Sequence, residues 1–300
     1  MVEQIQALMD RGQYTLAARM AQGCLMAADL PHIDQVEVAL LGYRASMVLR
    51  DGYRAANFAR RAHAAAQACG GEELEGRACF ALGTARLVIG DYVEAKELLQ
   101  TFLTGLEDRW PALREQEISA YINLGMSFRD RKQYADALEA LTRALTLCEA
   151  AGDTRRQIKT RQMMAWVLIL NDALDEAAVH LDLCDALIPL PDDLSASQLT
   201  HRAMLALQRG DNGTAMELGL EIMQPARPGV SDANRALACY ITGKVAMNQG
   251  DINLARTMAT SAQEYAVKDG LSSIINLINQ LRISLHQVES NRPGEDTPGT

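Results

Sequence analysis

Apolar residues recur at spacings of three and four along almost the whole chain, the pattern of amphipathic α-helices. Residues 115–131 show it clearly, because Ile118, Tyr121, Leu124, Gly125 and Phe128 form one stripe. Prolines interrupt the pattern at residue 31 and in 110–111, 189–191 and 225–229. The pattern predicts helices at 2–11, 14–28, 33–50, 54–69, 72–89, 92–106, 111–131, 134–150, 154–171, 174–188, 194–209, 212–224, 231–249, 252–269 and 271–288.

A short turn segment, often containing glycine, recurs along the chain. Its last residues are Tyr14, Tyr53, Tyr92, Tyr134, Leu174, Asn212 and Ile252, which are 39, 39, 42, 40, 38 and 40 residues apart. The residue three positions later is alanine every time: Ala17, Ala56, Ala95, Ala137, Ala177, Ala215 and Ala255. The residue nine positions before each of the last five turns is small: Gly83, Gly125, Ala165, Ala203 and Gly243. Small residues on both sides of a turn allow two antiparallel helices to pack closely.

The repeat predicts an all-α solenoid of about seven helical hairpins that forms a single domain over residues 1–288. Residues 271–288 carry an apolar face and are expected to cap the last hairpin. Residues 289–300 are polar and rich in proline and glycine, so we expect a disordered tail. A helical chain also agrees with a composition rich in alanine, leucine and methionine, in which only 5% of residues are aromatic.

The net charge of −9 argues against direct binding to nucleic acid or to an anionic membrane. No apolar run is long enough to span a bilayer, and the first residues lack the pattern of a secretory signal, so we expect a cytoplasmic location. The six cysteines include no C-x-x-C pair. They are expected to be buried, reduced thiols, neither disulfides nor zinc ligands.

The sequence contains none of the usual catalytic signatures: no phosphate-binding loop, G-x-G-x-x-G, H-E-x-x-H or G-x-S-x-G. Its five histidines are scattered, and its acidic pairs occur at expected helix starts or in loops, where negative charge favours the helix dipole. The sequence therefore predicts a protein that is not an enzyme and that uses neither a cofactor nor a metal.

The repeat resembles the tetratricopeptide family over roughly residues 1–270. The fourth hairpin matches the family's signature through Tyr121, Leu124, Gly125, Phe128, Tyr134, Ala137, Leu141 and Ala144, and the third through Leu82, Gly83, Tyr92, Ala95 and Leu99. The period here is near 40 residues, whereas the classical unit has about 34. In this respect the units look like those of bacterial sensor and peptide-pheromone receptor proteins.

The resemblance implies that the first helix of each hairpin lines a concave groove. It selects as groove residues Arg77, Phe80, Thr84, Ile122, Asn123, Met126, Arg129, Lys159, Gln162, Trp166, Met204, Tyr240 and Lys244. The apolar members would contact side chains of a peptide, the cations an acidic group, and the amides of Asn123 and Gln162 its backbone. The alternative is that several of these residues form inter-helix core or ordinary solvated surface.

One known subtype can be tested against these positions. Co-chaperone units hold a C-terminal carboxylate with two lysines, two asparagines and one arginine. Asn123 and Lys159 match two of those positions, but Phe80, Thr84 and Met163 stand at the other three. A chaperone-tail clamp is therefore not expected.

The sequence leaves two functions open. The first is an adaptor or regulator that binds a protein or peptide segment in the groove. The second is a regulatory protein that senses a ligand or signal peptide and acts through a partner, since the chain has no room for an output domain. A homodimer is not excluded by the sequence.

Overall fold

The computed structural model describes residues 1–26, 30–187, 189–225, 227–268 and 272–290. All regular structure in these residues is helical. The elements are α1 Val2–Asp10, α2 Tyr14–Met26, α3 His32–Val48, α4 Gly52–Cys69, α5 Glu72–Val88, α6 Tyr92–Asp108, the 3₁₀ helix η1 Pro111–Gln116, α7 Glu117–Asp130, α8 Tyr134–Ala151, α9 Thr154–Leu170, α10 Leu174–Asp185, α11 Asp192–Gln208, α12 Asn212–Ile222, α13 Asp232–Asn248, α14 Ile252–Lys268 and α15 Ser272–Ser290. The predicted all-α solenoid fold is confirmed, and most helix ends agree with the sequence pattern to within two residues.

The helices group into two compact units, Met1–Met163 and Met164–Thr300. We call α1, α3, α5, α7, α9, α11 and α13 leading helices, and α2, α4, α6, α8, α10, α12 and α14 trailing helices. The leading and trailing helices of one hairpin pack against each other in the first unit from α1/α2 to α7/α8, and in the second unit in α11/α12 and α13/α14. The single domain over residues 1–288 stays a prediction.

Seven turns between leading and trailing helices share one backbone conformation. Each contains a residue in the left-handed region, with φ between 57° and 83°: Gly12, Arg50, Gly90, Lys132, Asp172, Gly210 and Gly250. In the third hairpin, the Gly90 amide donates to the Leu87 carbonyl at 3.1 Å and the Asp91 amide donates to the Arg86 carbonyl at 2.9 Å. This pair of bonds is the Schellman motif, which satisfies the last carbonyls of a helix. The other six turns repeat it.

The second turn lies one residue earlier than the sequence pattern indicated. Its left-handed residue is Arg50, and Gly52, expected inside the turn, is the first residue of α4. The alanine five residues after the left-handed position is therefore Ala55, which is fully buried, and Ala56 is its neighbour. The prediction of Ala56 at this place was wrong by one residue because glycine was taken as the mark of the turn.

The small residues lie where the helices approach each other, as the repeat predicted. All seven predicted alanines are buried, including Ala137 and Ala255 with no exposed surface. A Cβ atom on Gly125 would lie 2.7 Å from Cγ of Leu141 and 3.3 Å from the Ala137 carbonyl oxygen. A Cβ atom on Gly243 would lie 3.4 Å from the Ala255 carbonyl oxygen. Larger residues there would separate the two helices.

The single helix predicted over 111–131 is divided in the structure. Residues 111–116 form η1, whose Leu113 has φ −97° and ψ 15°, and α7 begins at Glu117. The cause is Trp110, only 2% exposed, which occupies space left by two glycines. A Cβ atom added to Gly76 would lie 2.7 Å from the Trp110 ring, and a Cβ atom added to Gly105 would lie 2.5 Å from the same ring. Burial of Trp110 and Leu113 draws this segment inward and prevents regular α-helix.

Helix α15 closes the second unit, as expected for 271–288. It packs against α13 and α14 and buries Ile278, Leu281 and Leu285. Residues 289–290, assigned to the tail from the sequence, form its last turn. The rest of the predicted tail, 291–300, lies outside the described residues, as do the predicted helical positions 27, 28, 188, 269 and 271.

Candidate functional site on the leading helices

The leading helices form a common face within each unit. In the first unit α1 contacts α3, α3 contacts α5 and α5 contacts α7, and in the second unit α11 contacts α13. Trailing helices pack between successive leading helices, as α4 does between α3 and α5. Side chains that project from neighbouring leading helices therefore lie side by side, about one repeat apart in sequence.

A hydrogen-bonded row crosses three leading helices of the first unit. The Asn123 side-chain amide on α7 donates to the Thr84 hydroxyl on α5 at 3.0 Å. The Thr84 hydroxyl is in turn hydrogen-bonded to the Tyr43 side chain on α3, and burial raises the pKa of Tyr43 to about 12. The row orients the Asn123 amide, which is only half-buried. The side-chain carbonyl oxygen of Asn123 and its second N–H have no hydrogen-bond partner among the described residues, so both can bind the backbone of a guest.

Two of the predicted cations are paired with carboxylates. Arg77 donates to both carboxylate oxygens of Glu37, at 2.6 and 3.1 Å. Arg129 donates to Asp130 at 2.7 Å, and their side chains are only 10% and 9% exposed. Each of these charges is therefore already balanced within the protein, and the sequence-based prediction that Arg77 and Arg129 offer positive charge to a guest stays a prediction.

The apolar groove residues of the first unit divide into packed and accessible ones. The Phe80 ring packs at a tilt of 43° against the ring of Phe102 on α6, with centroids 5.1 Å apart, and Ile122 is only 4% exposed. Met126 is half-buried and packs on the cluster that contains Ile118 and Ile122. Phe80 and Met126 are both half-buried, and of these two Met126 lies on the same helix as Asn123, about one turn further along.

A shallow cavity of about 360 Å³ opens at the amino-terminal end of this face. Its apolar floor is formed by Val2 of α1 with Leu40 and Leu41 of α3. Polar and charged side chains, including Arg44 and the paired Arg77, form its rim. The combination of apolar floor and polar rim is common in sites that hold small ligands or peptide side chains.

The remaining predicted residues lie in α9 and in the second unit. Lys159 is exposed, Lys244 is half-buried, and Gln162 is 3% exposed. Three large side chains of the second unit are buried: Trp166 (7% exposed), Met204 (2%) and Tyr240 (8%). Ile122, Gln162, Trp166, Met204 and Tyr240 therefore serve as inter-helix packing, the alternative that the sequence left open. Direct contact of a ligand with these five stays a prediction.

Sequence reasoning missed Glu37 and Tyr43, the partners of Arg77 and Thr84. Both lie on the leading helix of the preceding hairpin, 40 and 41 residues earlier in the chain. The signal was present, because residues one repeat apart on leading helices become neighbours. The repeat spacing identifies Glu37 and Tyr43 as these neighbours only once the turn of the second hairpin is placed at Arg50.

The described residues do not bring together a cluster of metal-ligating groups. No group of three or more His, Cys, Asp or Glu side chains there is placed to hold a metal ion. Burial raises the pKa of the Cys79 thiol to about 12 and that of Cys239 to about 11, which suppresses the nucleophilic thiolate. Within the same residues, no helix has the length and apolar character needed to cross a membrane.

Comparisons with known proteins reveal similar structures without similar sequences. No protein-family model matches this sequence, and no curated protein matches it either. NprR in complex with its cognate peptide NprX is 15% identical, with a TM-score of 0.68 over 96% of this chain and 83% of NprR. A Rap protein complexed with Competence and Sporulation Factor is 12% identical, with a TM-score of 0.68 over 96% of this chain and 86% of the Rap chain.

A third similar structure is a tetratricopeptide repeat protein from Parabacteroides merdae ATCC 43184. It is 14% identical, with a TM-score of 0.66 over 94% of this chain and 97% of that protein. At such identities the likeness concerns the backbone, and it agrees with the seven Schellman turns and the buried alanines described above. The chain therefore has the all-α fold of the tetratricopeptide-type repeat proteins.

Proposed function

We propose that this chain is a non-enzymatic binding protein that holds a peptide or an extended protein segment on the leading helices of its first unit. The observation that carries the proposal is the hydrogen-bonded row Tyr43–Thr84–Asn123, which ends in a half-buried amide. An extended peptide needs both a donor and an acceptor for its backbone, and the Asn123 amide supplies both. Preorganisation by Thr84 reduces the entropy lost when the amide binds.

Two features of the leading helices favour a guest with apolar side chains. Met126 lies on the same helix and adapts to side chains of different shape, and the cavity beside Arg77 has an apolar floor. A guest does not need a carboxylate at Arg77 or Arg129, because Glu37 and Asp130 already balance those charges. The exposed cations of this unit's leading helices include Arg44 and Lys159.

The similar structures support the same proposal. NprR is solved with its cognate peptide and a Rap protein with Competence and Sporulation Factor, so this backbone arrangement accommodates such ligands in other proteins. The likeness concerns the fold, and the proposal for this chain depends on its own residues.

A second candidate is a sensor of a signal peptide or small ligand that acts through a partner. It is favoured by the extent of the row, which links three successive hairpins through Tyr43, Thr84 and Asn123. A ligand that competes for the Asn123 amide would alter hydrogen bonds in α3 and α5. Sensing would appear as a ligand-induced change in amide hydrogen exchange of α3 that Tyr43→Phe abolishes, and simple binding would leave α3 unchanged.

The test uses linear peptides selected from a random display library on the wild-type protein and labelled with fluorescein. Binding is measured by fluorescence anisotropy. Asn123→Ala is expected to weaken binding about tenfold or more, because two backbone hydrogen bonds of about 1 kcal/mol each are lost. Thr84→Val should weaken it less, because the amide remains but is no longer oriented.

The matched control is Asn253→Ala, which removes an exposed amide from trailing helix α14 and should bind as the wild type does. Circular dichroism establishes that each variant is folded. The proposal is refuted if no linear peptide binds saturably, or if Asn123→Ala and Asn253→Ala bind equally well.

A further inference from the structure

The first two trailing helices differ in charge from the three trailing helices that follow them. Helices α2 and α4 contain four arginines, Arg19, Arg54, Arg60 and Arg61, and no aspartate or glutamate. Helix α6 contains four carboxylates and one lysine, α8 three carboxylates and one arginine, and α10 four carboxylates with neither lysine nor arginine. Leading helix α9 also has four basic residues and no carboxylate, so α2 and α4 stand out as the basic pair among the trailing helices of the first unit, in a chain of net charge −9. We call their outward surface the α2–α4 face.

The α2–α4 face contains a cavity lined by residues of both helices. It has a volume of about 760 Å³ and runs between the two helices. Residues 18, 19, 22, 23 and 26 of α2 line one side at helical spacing, and 53, 54 and 57 of α4 line the other. Ala18 and Gly23 keep the α2 side low, and a Cβ atom on Gly23 would meet no other atom within 4 Å. The cavity is a groove between two helices.

The edges of this groove expose large apolar side chains to solvent. Tyr53 is 80% exposed, Met26 is 76% exposed, and Leu16 on the same side of α2 is 50% exposed. Full burial of such a side chain by a partner contributes roughly 1.5–3 kcal/mol of favourable binding free energy. Exposed apolar side chains that border a groove mark an interaction surface more often than scattered ones do.

The arginines of this face differ in how their charge is used. Arg54 pairs with Asp51 at 3.2 Å, and Arg61 of α4 donates to the Leu25 carbonyl of α2. Arg19 and Arg60 are exposed and form no ion pair with any residue that the structure describes. They therefore supply uncompensated positive charge on either side of the apolar edges.

We propose that the α2–α4 face is a second binding surface, separate from the leading helices, and that it accepts an acidic amphipathic helix of a partner protein. A helix fits because a third helix can place its ridge in the groove between two others. Its apolar stripe covers Met26 and Tyr53, and its carboxylates face Arg19 and Arg60.

Nucleic acid is a poorer occupant than an acidic helix. Duplex binding depends on neutralising many phosphates, and this face offers four arginines, of which Arg54 is already paired. The exposed apolar side chains would also remain uncovered on a phosphate backbone. Nucleic acid and a second copy of the chain are therefore included as alternative outcomes of the test.

The test uses a synthetic peptide of about 18 residues, long enough to form a helix, with leucine at positions i, i+3, i+4 and i+7 and glutamate on the opposite face. A peptide with the same leucines and with lysine in place of glutamate is the charge control. Full-length protein is titrated with each labelled peptide and with a double-stranded oligonucleotide. Sedimentation of the protein alone reports self-association.

We expect saturable binding of the acidic peptide that salt weakens between about 50 and 500 mM, and no comparable binding of the lysine peptide. The double variant Arg19→Glu with Arg60→Glu should weaken binding at least tenfold. Met26→Ser with Tyr53→Ser should weaken it as much without a change of charge. The matched controls are Arg143→Glu with Arg282→Glu, and Val179→Ser with Leu220→Ser, which alter exposed residues of other helices and should bind normally.

Four results overturn the proposal. They are absence of saturable binding by the acidic peptide, equal loss in the control variants, preferential binding of the oligonucleotide, and self-association that the α2–α4 variants abolish. Because none of these variants touches Asn123 or Thr84, the peptide site on the leading helices succeeds or fails independently.

Discussion

The left-handed residues of the seven turns allow a test of the repeat at a single position. Lys132 holds φ 61° where four other turns have glycine, and its side chain is exposed. A left-handed conformation costs a residue with a Cβ atom about 1–2 kcal/mol. Glycine removes this cost but makes the unfolded chain more flexible, which offsets roughly 0.4–1 kcal/mol of the gain. Lys132→Gly should therefore raise the free energy of unfolding by about 0.5–1 kcal/mol.

Urea unfolding followed by far-UV circular dichroism measures this change, with an expected rise in midpoint of about 0.2–0.5 M. Lys132→Ala is the control, since it removes the same charge but keeps a Cβ atom, and it should leave the midpoint nearly unchanged. The reciprocal variant is Gly210→Ala. Gly210 has φ 78°, and a Cβ atom there would meet no other atom within 4 Å, so its expected loss of about 0.5–1 kcal/mol reflects backbone conformation alone. If the urea midpoint of Lys132→Gly is no higher than that of Lys132→Ala, the assignment of a strained left-handed residue at this turn fails.

Further predictions concern the interior of the first unit. Gly105→Ala should lower the free energy of unfolding by roughly 1–3 kcal/mol despite the better helix propensity of alanine, because its Cβ atom would lie 2.5 Å from the Trp110 ring; urea unfolding would contradict this if the midpoint rose. Cys79, buried with a pKa raised to about 12, should resist iodoacetamide at pH 8 until the protein unfolds, whereas the half-buried Cys24 should react first, as mass spectrometry of tryptic peptides can show. Burial raises the pKa of Tyr43 to about 12, so the unfolded state, with its tyrosine near 10, loses its proton first and stability should fall between pH 10 and 12. Tyr43→Phe should remove part of that fall, and an identical pH profile in the two proteins would count against a buried hydroxyl.

Most of the fold was predictable because its determinants are local. Helix ends follow from apolar spacing and from the breaks between stretches, which depend on neighbours only a few residues away. The alanines beyond each turn and the small residues before it predicted the close helix contacts, and Gly125 and Ala137 meet as expected. The 3₁₀ segment at 111–116 was not predictable, because it depends on Trp110 entering space beside Gly76, more than thirty residues earlier in the chain.

The candidate site was predicted less well than the fold. The resemblance selected positions on the leading helices, and Asn123 and Thr84 lie together there as hydrogen-bonded neighbours. It did not indicate that Trp166 and Met204 would be almost fully buried. Position in a repeat specifies the helix that carries a residue, whereas exposure depends on how closely the next helix packs.

The sequence by itself determined the number of hairpins, the place of six of the seven turns and most of the small residues between helices, because these follow from hydrogen bonds and contacts within one hairpin. Only the tertiary structure decided that Arg77 is paired with Glu37, that Asn123 is oriented by Thr84, and that the α2–α4 face has a groove with exposed apolar edges. Those features depend on side chains about forty residues apart. Their distance, burial and charge balance are set only when one hairpin packs on the next.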